Sequence, residues 1–181
     1  VTIGERASSG KGSNSVVIGL MAKTSNEKKG GNSQTAVGAA SYADGEGASA
    51  FGANANATGS TATAIGLATK AIAQSASAFG DSASASAWGA TALGVGASAK
   101  ADNSIAVGSA AVTEGRESTA LGRRSYAGAQ SATALGTLAN ASAIVSTAVG
   151  NGAKASAFQA SALGNSAEAS GESSMALGTE S

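Results

Sequence analysis

Few side chains in this sequence could carry out chemistry, and their types exclude most enzyme mechanisms. The 181 residues include no His and no Cys, so the chain has neither a Ser-His-Asp triad nor a histidine or thiolate metal site. Carboxylates occur mainly as single residues, which leaves no paired acid and base. We therefore predict that the protein is not an enzyme and uses no metal or cofactor.

Two short segments match a nucleotide-binding pattern, but their setting argues against that role. Residues 94–99 and 150–155 both read Gly-X-Gly-X-X-Ala. This pattern binds a dinucleotide only where it joins a strand to a helix in a βαβ unit, and no such unit is predicted around either segment. Eleven Lys and Arg balance eleven Asp and Glu, so no overall positive charge favours nucleic acid as a partner.

The spacing of glycine reveals the element that must carry any binding site. A large apolar residue followed by glycine recurs thirteen times, first at Ile3-Gly4 and last at Leu177-Gly178. From Gly38 to Gly178 each of the ten steps is 14 residues long, whereas the first two steps are 15 and 19. Disordered low-complexity sequence has no reason to keep this phase, so we predict a folded repeat protein.

Residue size alternates within the repeat when each of these glycines is numbered position 1. Between Gly38 and Gly178, Ala fills position 13 every time and position 6 in nine repeats of ten, with Thr113 as the exception. Positions 4 and 8 hold only small residues, whereas positions 5, 7 and 9 vary. Such period-two alternation is typical of a strand with one constrained face. A coiled coil is disfavoured because it needs a large apolar residue every 3.5 positions.

Fourteen residues can form two short strands and two tight turns, so we predict an all-β parallel solenoid of about 13 coils. Position 14 has the opposite parity to the buried position 13, and its side chains should therefore point outward. An exposed apolar stripe of this kind is unusual on a soluble monomer, so we predict a homo-oligomer with the stripe at its seam. The predicted seam residues are Ile18, Val37, Phe51, Ile65, Phe79, Leu93, Val107, Leu121, Leu135, Val149, Leu163 and Leu177.

Candidate ligand contacts are large or charged residues at outward positions where polar residues dominate. Trp88 and Phe158 occupy position 9, Tyr126 occupies position 5, and Arg123 and Arg124 follow the glycine of a turn. Aromatic and arginine side chains are enriched where interfaces draw most of their binding energy. Two alternatives stay open: a neighbouring subunit covers the aromatic residues, and the arginines form a solvated edge or an interchain ion pair.

The repeat resembles the head domain of trimeric autotransporter adhesins, the YadA-like family, whose repeat core is of the type Asn-Ser-Val-Ala-Ile-Gly. Residues 14–19 read Asn-Ser-Val-Val-Ile-Gly, residues 103–108 read Asn-Ser-Ile-Ala-Val-Gly, and shorter variants cover essentially the whole chain. The resemblance implies a left-handed parallel β-roll, a homotrimer, and display at the outer membrane of a Gram-negative bacterium. It also implies attachment to host cells or extracellular-matrix proteins such as collagen, with any membrane anchor outside these residues.

The organisation expected from the sequence is one head domain over residues 1–181, with a basic insertion loop at about 23–32. Two alternative functions remain. The chain could be a spacer that projects another adhesive domain, or, more remotely, an ice-binding solenoid with a column of Thr at position 12. Ice binding is disfavoured because the column is single and is interrupted by Ile105 and Met175.

Overall fold

The computed structural model describes residues 1–10, 14–24 and 32–181, and within these ranges the chain is all-β. Its strands are short and parallel, and they build a β-solenoid of about 12 turns. The described residues contain no helix, and so none that could cross a membrane. The chain divides into two compact units, Val1–Ala90 and Thr91–Ser181.

The first unit contains two parallel sheets whose strands alternate along the chain. One sheet has the order β1-β2-β4-β6-β8-β10, and the other has the order β3-β5-β7-β9-β11. The strands are β1 Thr2–Ile3, β2 Val16–Ile18, β3 Lys23–Thr24, β4 Thr35–Val37, β5 Tyr42–Ala43, β6 Ser49–Phe51, β7 Asn56–Ala57, β8 Thr63–Ile65, β9 Lys70–Ala71, β10 Ser77–Phe79 and β11 Ser84–Ala85.

The second unit repeats this arrangement. Its even-numbered strands from β12 to β24 form one sheet and its odd-numbered strands from β13 to β23 form the other. The strands are β12 Thr91–Leu93, β13 Ser98–Ala99, β14 Ile105–Val107, β15 Val112–Thr113, β16 Thr119–Leu121, β17 Tyr126–Ala127, β18 Thr133–Leu135, β19 Asn140–Ala141, β20 Thr147–Val149, β21 Lys154–Ala155, β22 Ser161–Leu163, β23 Glu168–Ala169 and β24 Met175–Leu177.

Each coil follows the repeat position by position, which confirms the 14-residue period. Positions 12–14 form a three-residue strand of what we call the stripe sheet, and positions 5–6 form a two-residue strand of the back sheet. Equivalent residues pair in parallel, as Ala120 pairs with Ala134 and Ala134 with Ala148. The strands are only two or three residues long because the amide group that precedes most of them forms a hydrogen bond within the turn rather than between strands. In the second turn, for example, the Ala62 N–H donates to the Gly59 carbonyl at 3.1 Å.

The glycine at position 1 adopts a backbone conformation that other residues avoid. Its φ lies between +115° and +141° throughout, as at Gly94 with +132°. A Cβ built on Gly94 would also lie 2.7 Å from the Gly108 carbonyl carbon in the next coil. Both turns then end in a left-handed residue, at position 3 in the first turn (positions 1–3) and at position 10 in the second turn (positions 8–10). Stacking of backbone on backbone therefore explains the invariant spacing of these glycines.

The interior of the coil is lined by small residues at positions 4, 6, 11 and 13. Alanines at these positions are almost fully shielded from solvent, including Ala134 at position 13 and Ala141 at position 6. Position 11 is buried as well, as Ala132 shows, and the alternation of positions 4 to 9 did not identify it. Position 8 lies in the second turn, where a Cβ on Gly45 would collide with the Gly59 carbonyl. Backbones therefore stack closely at position 8, which holds only Gly or Ala.

Polar residues inside the coil are tolerated because the turns supply acceptors. The Ser41 and Ser125 hydroxyls each donate to the carbonyl of the turn glycine three residues earlier, at 2.9 Å. The Ser118 hydroxyl does the same in the second turn, at 2.6 Å from the Gly115 carbonyl. Thr113, the exception at position 6, donates to the Ser104 hydroxyl at 2.9 Å. In these four cases a short polar side chain replaces Ala without leaving a buried hydroxyl unpaired.

Register places the described residues on either side of the second insertion. Lys23 and Thr24 form β3, at positions 5 and 6 of their coil, and pair with Tyr42 and Ala43. The Gly47 N–H donates to the Asn32 carbonyl at 3.0 Å, the bond that other coils make from position 10 to position 9 of the coil before. The rest of the predicted loop, residues 25–31, lies outside the described residues. The predicted loop and single head domain stay predictions.

Candidate binding surface and association stripe

The large side chains at position 14 lie on the outer face of the stripe sheet, as the parity argument predicted. In the stripe-sheet strands from β4 to β22 the central Ala is buried whereas the residue after it is half-buried or exposed. Leu93 keeps 47% and Leu121 keeps 44% of its surface exposed. Within each unit these residues form a stripe along the sheet, and the role of that stripe as an oligomer seam remains a proposal.

Position 12 forms a second column on the same face. Thr119, Thr133 and Thr147 pair in register in successive strands, and all three are half-buried. Ile105 and Met175 interrupt the column as exposed apolar residues. The stripe sheet thus presents alternating hydroxyl and aliphatic columns, and in the second unit neither column contains a charged residue.

Sequence reasoning missed further apolar residues in the first turn, directly after the stripe. Large exposed side chains at positions 2 and 3 extend the apolar surface around this turn. The signal was available, because these residues stand two or three places after a position-14 residue, but they recur too irregularly to form a column. They are Leu20, Met21, Leu67, Val95 and Leu138.

The aromatic candidates at position 9 lie in the second turn, at the opposite end of the coil. Trp88 in the first unit and Phe158 in the second are both exposed. Phe158 follows Ile144 and Val145 of the preceding coil, and the Gln159 N–H donates to the Ile144 carbonyl at 3.1 Å. These three apolar residues therefore form a small cluster on the second turn of the second unit.

Tyr126 is held in a side-chain network on the outer face of the back sheet. Its hydroxyl donates to Glu114 Oε2 at 2.8 Å, and Lys100 Nζ donates to Glu114 Oε1 at 2.7 Å. The ring lies against Gly128, where a Cβ would be 2.6 Å from the Tyr126 hydroxyl oxygen. The sequence placed Tyr126 outward but did not show its partners, because Glu114 occupies a different position of the preceding coil.

The network shifts the two acidic groups in opposite directions. The hydrogen bonds from Lys100 and then Tyr126 lower the pKa of Glu114, and the bond to Glu114 raises the pKa of Tyr126. The Glu114 contribution is present above its unfolded pKa and is lost as pH falls through the folded value. The Tyr126 contribution is present below its unfolded pKa and is lost as pH rises through the folded value. The network therefore stabilises the fold most between these limits.

We expect Gly128→Ala to displace the Tyr126 ring and return the pKa of its phenol towards the ordinary tyrosine value. The methyl group would occupy the space of the ring and separate the hydroxyl from Glu114. Tyr42 is the only other tyrosine, so ultraviolet titration of both proteins in a Tyr42→Phe background reports Tyr126 alone. Because the ring is a mobile end group, the free energy of unfolding should change by less than about 1 kcal/mol. An unchanged titration curve would contradict the packing of Tyr126 on Gly128.

The arginine pair lies in the first turn of the second unit. Arg123 and Arg124 are exposed, and neither makes an ion pair with another described residue. Arg116 in the second turn differs, because its Nε lies 4.0 Å from Asp102 Oδ2. The described residues contain no group of three or more acidic or metal-binding side chains that could hold a metal ion.

The structure does not bring the four candidate contacts of the second unit into one site. Within the second unit, Phe158 lies in the second turn, Tyr126 on the back sheet, and Arg123 and Arg124 in the first turn. Trp88 belongs to the first unit. In the second unit the candidate contacts are therefore spread over a repetitive surface.

The repeat itself identifies the family. The family model described as YadA head domain repeat, in two copies, matches most of the chain, and the four matches that begin at residues 85, 99, 113 and 127 are shifted by one coil each. The matched residues are 35–55, 43–69, 85–111, 99–125, 113–139, 127–153 and 155–181. The chain belongs to the YadA head repeat family. No curated protein shows significant similarity to it.

Membership of the YadA head family explains the combination of features. The family and the parallel β-solenoid are those of an adhesin head rather than of an enzyme. YadA heads belong to surface-exposed trimeric autotransporter adhesins, which agrees with the repetitive outer surface of each unit. Here the Val of the family core is mostly Thr or Ser, so the stripe sheet is more polar than the motif implies.

Proposed function

We propose that this chain is the head of a trimeric adhesin that attaches a Gram-negative bacterium to host cells or to extracellular-matrix proteins such as collagen. The match to the YadA head family over most of the chain carries the proposal. In the proposed assembly three left-handed β-rolls meet along their apolar stripes, and the trimer is displayed outside the outer membrane.

The exposed stripe supports association of the chain with further copies. Full burial of one large aliphatic side chain contributes about 1.5–3 kcal/mol, so several half-exposed residues per unit represent a large unused stabilisation. A single coil offers mainly alanine methyl groups to its own interior. Sharing the stripe between chains supplies the larger apolar burial that one chain lacks.

A repetitive trimer suits adhesion through many weak contacts. Trp88, Phe158, Tyr126, Arg123 and Arg124 are the proposed ligand contacts, and three copies of each would be present per assembly. Linked weak contacts give avidity well beyond the affinity of one contact, provided that the ligand can reach several at once. A fibrous matrix protein presents such repeated sites.

Binding of the assembled protein to immobilised collagen, laminin and albumin tests the proposal. We expect saturable binding to a matrix protein and none to albumin, with at least tenfold weaker binding in W88A/F158A. The matched control is Gln130→Ala, because Gln130 also occupies an exposed position 9. Undiminished binding by W88A/F158A would remove the two aromatic residues from the site.

A spacer role is the second candidate, favoured by the observation that the candidate contacts are not gathered at one place. If the chain is a spacer, the wild-type protein forms a stable assembly but binds neither matrix proteins nor host cells. The adhesion experiment therefore separates the two functions without any substitution.

A further inference from the structure

The stripe sheet is so regular that it poses a problem of register for any association between copies. In β16, β18 and β20 the outward residues are Thr and Leu, Thr and Leu, and Thr and Val. A second copy packed on this face could slide by one coil, about 4.8 Å, and meet the same chemistry again. In the second unit the two outward columns contain no charged residue, so no ion pair on this face fixes the register.

Ile105 is the feature that breaks this repetition. It replaces Thr at position 12, pairs with Thr91 and Thr119 on either side, and is 43% exposed. The next apolar residue of the column, Met175, lies 70 residues further on, which is five coils. A shift of one to four coils between two copies therefore never places Ile105 of one copy beside Met175 of the other. A shifted copy would instead bury Ile105 against a Thr hydroxyl, which loses hydrogen bonds to water without an apolar gain.

We propose that Ile105 sets the register in which copies of this chain associate along the stripe sheet. The partner is a second copy of the same chain, because the column continues the stripe on which the proposed assembly rests. In the matched register the Ile105 side chains of the associated copies lie at one level and bury one another. In every register shifted by one to four coils each of them faces Thr or Ser. One deviant residue thus gives a repetitive interface a single alignment, as a lone deviant residue does in coiled coils.

The variant I105T/T119I tests the inference because it moves the isoleucine of the Thr column by one coil. We call this isoleucine the marker. Isotopically heavy wild-type chains are refolded with light variant chains, and the assemblies are counted by native mass spectrometry. We expect chains to sort by marker, with mixed assemblies at least fivefold below the statistical proportion, because a mixed assembly must either bury each Ile against Thr or shift by one coil and leave coils at both ends unpaired. The conservative variant I105V/T119S keeps the marker in place and should mix statistically, as should heavy and light wild-type chains. If I105T/T119I does not fold, the experiment uses I105T/T91I instead, which moves the marker by one coil in the opposite direction.

The outcomes separate this inference from the proposed function on which it rests. Statistical mixing of wild-type chains with the marker-shifted variant would overturn the role of Ile105 and leave the assembly intact. Sorting by the conservative control as well would also overturn it, since sorting would then not follow the marker. A monomeric wild-type protein would overturn the proposed association, and the register inference with it.

Discussion

Replacing Gly94 with alanine is expected to destabilise the protein by at least about 3 kcal/mol, whereas the same change at Gly96 should cost about 1 kcal/mol. Both glycines lie in one first turn of the second unit. Gly94 has a φ of +132°, and its added Cβ would lie 2.7 Å from both the carbon and the oxygen of the Gly108 carbonyl. Backbone held on both sides by neighbouring coils cannot move away from a methyl group.

Gly96 provides a matched control within the same turn. Its φ is +66°, and a Cβ there would meet nothing within 4 Å. Ala110 already occupies the equivalent position of the next coil with a φ of 55°. Urea denaturation of both variants, followed by circular dichroism, measures the difference in the free energy of unfolding. Equal stability of G94A and G96A would mean that coil stacking does not depend on the position-1 glycine.

The period, the parallel stacking and the outward stripe could be predicted because each follows from residue size at fixed spacing. Position 13 is Ala in every strand from β4 to β24 of the stripe sheet, so the residue after it in the strand must face outward. Burial of position 11 was missed because the alternation was followed only from position 4 to position 9. The left-handed residue at position 10 ends the alternation of inward and outward side chains. A new alternation begins after the second turn, so the two-residue period cannot be extended from position 9 to position 11.

The local networks could not be predicted because they join different positions of neighbouring coils. Tyr126 at position 5 contacts Glu114 at position 7, a separation of 12 residues rather than 14. The ion pair between Lys154 and Glu168, at 2.9 Å, is in phase and visible from the repeat. The exposed Leu67 and Val95 are too irregularly spaced to reveal a column. Contacts between different repeat positions depend on the length and rotamer of each side chain, which the repeat does not specify.

The double variant L93E/L121E is expected to abolish association of the chain. The two side chains keep 47% and 44% of their surface exposed in the single chain, which is the surface that the proposed seam would bury. Three copies would bring six carboxylates into an apolar interface, and an unpaired buried charge is strongly unfavourable. Mass in solution, measured by light scattering on a sizing column, should fall from an oligomer to a monomer. Because the interior of one chain consists mainly of alanine, the thermal midpoint of the monomeric double variant should also fall below that of the wild-type protein.

Ile144→Glu is the control that separates the stripe from apolar surface in general. Ile144 is 49% exposed, much like Leu93 and Leu121, but it lies in the second turn at the other end of the coil. A charge there should leave the mass unchanged, because the proposed seam lies on the outer face of the stripe sheet. If I144E dissociates the protein as completely as L93E/L121E, the seam must include the second turn. If L93E/L121E keeps the wild-type mass, the stripe is not the seam, and its apolar residues must be explained by a ligand.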